Sequence, residues 1–283
     1  MATRRTLGLI AGRGELPAAI ARGARESGCR VVGLGLVGFS EPGLEKLVDE
    51  WHGVELGGLG PLMDCLEQSE VSDVVLAGSV GKRAFFNAEA GLRLDHRAAG
   101  VLRGLKDHGD DTLLGAVVSE IEAHGVRVCS QGEWVPHLLP SVGALGTLRP
   151  SREQQRDIEF GLSVAVALGR LGAGQCAIVR SGCVLALEAV EGTDAAIRRA
   201  GQVGGEGAVV VKVVRPGQDR RFDLPAIGRD TLAAMTEAGA SVLAFQAGST
   251  LVLDPEGMAE EANRLGIVVV GVESPADGPE GSR

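Results

Sequence analysis

Thr6–Leu36 reads TLGLIAGRGELPAAIARGARESGCRVVGLGL, and this stretch decides the architecture of the N-terminal half. Thr6–Ala11 is an apolar run, Gly12-Arg13-Gly14 a turn, Glu15–Glu26 a helical pattern and Arg30–Leu36 a second apolar run. A strand, a helix and a strand in succession form a crossover, which packs when the strands run parallel and the helix covers the sheet. The rhythm continues with strands over Ser72–Ser79 and Val126–Ser130. Between them Asp110–His124 carries Leu113, Leu114, Val117, Val118 and Ile121 on one helical face, with Asp110 or Asp111 as N-cap. A Rossmann-like α/β domain with a parallel sheet is therefore expected over residues 1–131.

Residues 132–150 break the pattern with Pro136, Pro140 and Pro150, and read as a linker. A second, mixed α/β domain is expected over 151–273. It opens with a helix from Ser151 to about Arg170. Strands over Gln175–Arg180 and Cys183–Ala189 follow, joined by a Ser181-Gly182 hairpin turn. Thr193–Ala200 reads as a helix, Ala208–Val214 as a strand and Arg229–Ala238 as a helix. A second hairpin is expected for Ser241–Gln246 and Ser249–Asp254 across Ala247-Gly248, before a final helix over Pro255–Leu265 and a strand over Ile267–Val272. The polar residues 274–283 read as a flexible tail.

Composition narrows the function. Glycine is 43 of 283 residues, about 15% where roughly 7% is usual, without a repeat, so the glycines mark tight turns. A net charge of −9 and an aromatic content of 3%, with no Tyr, argue against a nucleic-acid partner. Cys29, Cys65, Cys129, Cys176 and Cys183 form no CxxC pair and fit a reducing cytoplasm. The first apolar run is too short for a signal peptide or a membrane helix. His52, His96, His108, His124 and His137 are scattered, and no GxSxG elbow or Cys–His nucleophile is visible.

Two glycine loops and one charged loop carry the chemistry. Gly12 and Gly14 lie between a strand and a helix, where backbone amides either form a simple tight turn or face a phosphate. Pro17 stands where a dinucleotide fingerprint wants Gly or Ala. Gly78–Arg83 ends another strand but lacks P-loop spacing. Val209–Gly228, VVVKVVRPGQDRRFDLPAIG, drives Lys212 through an apolar run into a loop bearing Arg215, Gln218, Asp219, Arg220, Arg221 and Asp223. A lysine inside such a run must pair, snorkel or enter a polar site. Glu188, Glu191 and Asp194 lie in ALEAVEGTDAAIRRAG. Carboxylates from this segment and from the loop suit Mg²⁺, which takes one or two protein oxygens and completes its shell with water or phosphate. Thr193 and Asp194 equally suit a helix cap, and Asp219 a surface turn. Asp223, between Phe222 and Leu224, is expected to be partly shielded.

These motifs resemble, across almost the whole chain, the LpxI-type UDP-2,3-diacylglucosamine pyrophosphatases of lipid A biosynthesis. The resemblance is carried by LIAGRGELP, GDDTLL at Gly109–Leu114, GQCAIVRSGCVLALEAVEGTDAAIRRAG at Gly174–Gly201, and VVVKVVRPGQDRRFDLPAIG. Local departures are Arg13, Ala173 and Ala196. The resemblance implies a two-domain enzyme that splits the substrate into UMP and 2,3-diacylglucosamine 1-phosphate, with the substrate between the domains. It also implies a need for Mg²⁺ or another divalent cation. The family's critical aspartate matches Asp223.

On this reading Asp223 and Lys212 are catalytic. Asp223, Asp194 and Glu191 are metal ligands, and Gly12, Gly14, Gln175, Thr193, Arg215, Gln218 and Arg221 bind substrate. Each buried CH₂ is worth about 0.8 kcal/mol, so two acyl chains cannot pass through water unprotected. A cytoplasmic enzyme working peripherally at the inner-membrane face is expected, and a homodimer is compatible with the sequence. A nucleotide-cofactor oxidoreductase and a non-catalytic nucleotide-sugar-binding protein are the alternatives.

Overall fold

The computed structural model describes residues 5–80, 93–105, 110–204 and 206–273. The tail, His108, the Gly81–Arg83 part of the second glycine loop and Gly109 of GDDTLL lie outside the described residues, as do the side chains of Asp110 and Asp111. The chain divides into two compact units, Met1–Pro136 with Asp219–Asp223, and His137–Gln218 with Leu224–Arg283.

The first unit is a parallel five-stranded sheet. Its strands are β1 (Thr6–Ala11), β2 (Arg30–Leu36), β3 (Glu50–Val54), β4 (Asp73–Ala77) and β5 (Arg127–Val128), in the order β3-β2-β1-β4-β5. This is the Rossmann order, with the topological switch point at the carboxyl ends of β1 and β4. Helices α1 (Leu16–Glu26), α2 (Leu59–Gln68), α3 (His96–Arg103) and α4 (Asp110–Ala123) accompany it. Pro17 sits at the start of α1, where its missing N–H has no intrahelical use. Gly23 of the same helix has no room for a Cβ, because the carbonyl oxygen of Trp134 fills that space. Strand β3 was not anticipated. Among the described residues EWHGV is an edge strand bonded only to β2, and it is half-buried along most of its length, so its polar residues hide it from an apolar-run criterion.

At the amino end of this sheet Asp73 is buried and accepts from Arg5 Nε at 2.6 Å, Arg127 Nε at 2.7 Å and Ser72 Oγ at 2.9 Å. The Arg5 guanidinium, then Arg127 and Ser72, hold its carboxyl far below the usual carboxylate range. Burial and the Asp73 charge push the nearby Cys129 thiol up to about 12, so it stays protonated and unreactive. A depressed folded-state pKa stabilises the fold above the unfolded value and loses that contribution as pH falls. Asp73→Asn is expected to cost about 2 kcal/mol at pH 7. It should also flatten the fall in melting temperature that the wild type shows below about pH 4. An equally steep acid limb in the variant would remove Asp73 as its source.

The second unit is a mixed six-stranded sheet in the order β6-β13-β11-β9-β7-β8. Its strands are β6 (Gly143–Ala144), β7 (Cys176–Arg180), β8 (Cys183–Leu187), β9 (Val209–Lys212), β11 (Val242–Gln246) and β13 (Val268–Val272). Strands β9, β11 and β13 are parallel, while β7, β8 and β6 join antiparallel. Helices α5 (Arg152–Arg170), α6 (Thr193–Gly204), α7 (Arg229–Ala238) and α8 (Pro255–Leu265) complete the unit. Ser151 Oγ accepts from Gln154 N while Gln154 Oε1 accepts from Ser151 N, a capping box that fixes the start of α5.

The β7–β8 hairpin turns at Ser181 (φ 49°) and Gly182 (φ 73°), both left-handed, as a two-residue hairpin favours. Buried Asp157 of α5 accepts from both turn amides at 2.8 Å. The second expected hairpin does not form. Val242–Gln246 lies between parallel β9 and β13, and Leu251–Val252 (β12) pairs in parallel with Ala226–Ile227 (β10) in a separate two-stranded sheet. A fully buried strand is a continuous apolar run whether its neighbours are parallel or antiparallel, so the pairing was not readable.

Candidate functional site

In the second unit the carboxyl end of β9 carries Lys212. It is 6% exposed, and its Nζ donates to the carbonyl oxygen of Ala226 at 2.8 Å. Among the described residues no carboxylate lies within ion-pair distance of Nζ. A buried ammonium with one carbonyl for company is a costly arrangement that an anion would relieve. Lys212 faces Cys176 across the antiparallel β7–β9 ladder. Burial, then the charge of Glu188, raises the Cys176 thiol above its ordinary range, with Lys212 opposing and Asp194 assisting. This thiol is no nucleophile.

Glu188, just past β8, is buried. Its Oε2 accepts from the Gln175 N–H at 3.2 Å, and its Oε1 from Thr193 Oγ1 at 2.9 Å. Thr193 is thus the first residue of α6 and ties that helix to Glu188 instead of capping it. A Cβ at Gly174 would overlap the Glu188 carbonyl oxygen, which is the physical reason for glycine ahead of Gln175 in this motif. Gln175 Oε1 is buried and accepts no hydrogen bond among the described residues, leaving an acceptor open for a donor. Gln175, Cys176, Glu188, Thr193 and Lys212 therefore form one connected site, with Asp194 close enough to act on the Cys176 thiol. Glu191 stands apart, paired with Arg199 at 2.6 Å. Gln218 is buried and its Oε1 accepts from Arg215 N at 3.0 Å, which shapes the turn after β9.

The remaining predicted residues belong to the first unit. The chain enters it for five residues, Asp219–Asp223. Arg221 forks onto Asp219 and reaches Glu122 at 2.7 Å, and these carboxylates raise its pKa further while it lowers that of Asp219. Arg221 thus engages two carboxylates, one within the segment and one on α4. Phe222 is buried in the core with Leu76 and Val128. Asp223 is half-buried, as its apolar neighbours predict, and its N–H donates to Asp219 O at 3.2 Å.

The first glycine loop is closed by its own surroundings. Gly12 N donates to Ala77 O at 2.8 Å, Arg13 N to Ser79 O at 2.9 Å and Gly14 N to Glu41 Oε1 at 3.1 Å. Gly14 has φ 99°, and a Cβ on Gly12 would meet Ser79 O at 2.7 Å. A phosphate bound at Gly14 would have to displace the Glu41 carboxylate. Sequence reading missed Glu41, whose position in a polar loop gives no signal. It also missed Gln131, placed at the edge of the apparent linker. The Ser130-x-x-Glu133 spacing, in which Ser130 N donates to Glu133 Oε1 at 3.0 Å, was the available hint of local order there.

Fold and site define a two-domain α/β protein with a Rossmann-order N-terminal sheet and a buried lysine at a strand end of the second unit. Residues 6–138 match the LpxI N-terminal domain model and residues 141–270 the LpxI C-terminal domain model. The chain is 35% identical over 280 residues to the UDP-2,3-diacylglucosamine pyrophosphatase LpxI of Caulobacter vibrioides, covering 95% of this chain and 98% of that protein. The chain belongs to the LpxI family.

Among solved structures, a GalE-like L-threonine dehydrogenase from Cupriavidus necator is similar at 14% identity with a TM-score of 0.28, covering 43% of this chain and 34% of that one. Pyruvate carboxylase from Rhizobium etli is similar at 12% identity with a TM-score of 0.29, covering 64% of this chain and 16% of that one. Likeness at this level carries no argument, and the chain spans a minor part of both proteins.

Proposed function

We propose that this chain hydrolyses the pyrophosphate bond of UDP-2,3-diacylglucosamine to UMP and 2,3-diacylglucosamine 1-phosphate in lipid A biosynthesis. The observation that carries the reading is Lys212, a buried cation without a carboxylate partner among the described residues, at the carboxyl end of a parallel strand. Open α/β sheets bind ligands at those ends, and a pyrophosphate supplies the missing negative charge. Lys212 would hold phosphate oxygens as a compact cation and stabilise the charge that builds on them. The open acceptor of Gln175 would receive a hydroxyl or imide hydrogen of the nucleotide sugar.

Among the described residues no three His, Cys, Asp or Glu side chains gather into a metal cage. The residues fit Mg²⁺ held by one or two carboxylates, with substrate phosphate and water filling the shell. Asp223 of the first unit, or Asp194 of the second, would supply such a carboxylate, while Arg199 engages Glu191. Bound there, the cation would neutralise phosphate charge and favour an attacking hydroxide. Asp223 would also orient the attacking water in line with the leaving group. Arg215 would add a further positive charge to the substrate site.

Among the described residues no helix is long and apolar enough to cross a membrane. Peripheral work at the cytoplasmic face of the inner membrane is the consistent setting for a diacylated substrate. The test is incubation with UDP-2,3-diacylglucosamine and Mg²⁺. UMP is expected to appear, and EDTA to abolish it. Absence of UMP with every divalent metal tried would overturn the enzymatic reading and leave binding alone.

A further inference from the structure

We infer that Gln131 is a positioning residue for Asp223, fixing that residue's main chain at the carboxyl end of the N-terminal sheet. The inference rests on the catalytic reading of Asp223 given above. Gln131 is 3% exposed. Its backbone N–H donates to Arg221 O at 3.2 Å, and its Nε2 donates to Phe222 O at 3.2 Å and to Leu76 O at 2.8 Å. Ser130 Oγ donates to Arg220 O at 3.5 Å. Three successive carbonyls before Asp223 are thus held by two adjacent residues.

Phe222 O belongs to the peptide whose N–H is that of Asp223, and that N–H is bonded to Asp219 O. Fixing both polar atoms of one planar peptide fixes its orientation, and so the direction in which the Asp223 side chain leaves the backbone. The same Nε2 reaches Leu76 O near the end of β4, beside the switch point of the sheet. A terminal amide suits this task because one nitrogen carries two hydrogens for two carbonyls.

The arrangement has a cost that packing does not explain. Gln131 Oε1 is buried and accepts no hydrogen bond among the described residues. A buried acceptor left so carries a desolvation penalty that an apolar residue of the same length would avoid. Local rules are broken in this way where function requires it.

The test uses the full chain with Gln131→Met and Gln131→Glu, assayed for UMP release from UDP-2,3-diacylglucosamine with Mg²⁺. Asp223→Ala is assayed in parallel. Gln131→Met is expected to lower kcat about 10–100-fold and to leave KM within about twofold, as a misplaced catalytic group does. Gln131→Glu is the closer isostere but turns an acceptor toward two carbonyls, so its kcat should fall further than that of Gln131→Met. Circular dichroism and melting curves establish that each variant is folded.

Wild-type kcat in the folded Gln131→Met protein, or a raised KM with kcat unchanged, overturns the positioning role. That decision stands on Gln131→Met alone if Gln131→Glu does not fold. Near-wild-type turnover by Asp223→Ala overturns the catalytic reading and this inference with it. An inactive Asp223→Ala beside a fully active Gln131→Met removes Gln131 only.

Discussion

Asp223→Ala is expected to lower turnover of UDP-2,3-diacylglucosamine about a thousandfold or more, while substrate binding and the melting temperature stay close to wild type. The size follows from the role. A carboxylate that holds a divalent cation or aligns the attacking water supplies several kcal/mol to the transition state, and each 1.36 kcal/mol is about tenfold in rate. The preserved fold follows from the anchors. The Asp219–Asp223 segment is fixed by the buried ring of Phe222, by bonds to its carbonyls from Ser130 Oγ and from the N–H and Nε2 of Gln131, and by the Asp223 N–H, all of which the variant retains. Steady-state kinetics beside equilibrium binding to a nucleotide-sugar analogue separates the two effects. Turnover within about tenfold of wild type would strike Asp223 from the mechanism. A large loss of stability would show that its part is structural.

Lys212→Met is the second large effect, with an unusual sign for stability. Methionine keeps the length of the stem and removes the buried charge. With no carboxylate in ion-pair reach among the described residues, little is left unpaired except the Ala226 carbonyl. Removing a poorly compensated buried ion is often neutral or stabilising, so the melting temperature should hold or rise. Turnover should nevertheless fall by roughly 100- to 1,000-fold, because phosphate charge is no longer offset. Lys212→Arg should rescue poorly, since a planar fork does not fit the place of a compact ammonium. A marked drop in melting temperature together with unchanged turnover would make Lys212 a structural cation and withdraw the observation on which the proposed function rests.

What the sequence disclosed follows from the range over which each signal acts. The parallel sheet of the first unit was legible because β1 and β2 are uninterrupted apolar runs flanking an amphipathic helix. The start of α5 was legible because Ser151 and Gln154 act over three residues. Strand β3 was not, since half-buried EWHGV carries as much polarity as a loop. The partner of Val242–Gln246 was invisible because a strand buried on both sides looks the same in either pairing direction.

The site divides along the same line. Lys212 stood out as one cation in an apolar run, and Asp223 through its apolar neighbours. Gln131 is a neutral amide whose bonded partners lie 55 and 91 residues away, and nothing in its own neighbourhood announces them. Asp73 reaches Arg5 and Arg127 across 68 and 54 residues, equally beyond any local pattern.

The five-residue visit of Asp219–Asp223 to the first unit bears on how this protein can be dissected. A fragment ending at Pro136 would lack the ring of Phe222, and removing a buried Phe costs about 3–5 kcal/mol before any loss of hydrogen bonds. The domain boundary is therefore not a place to cut. An N-terminal half made alone calls for a short peptide bearing DRRFD, grafted on or added in solution, as its missing plug.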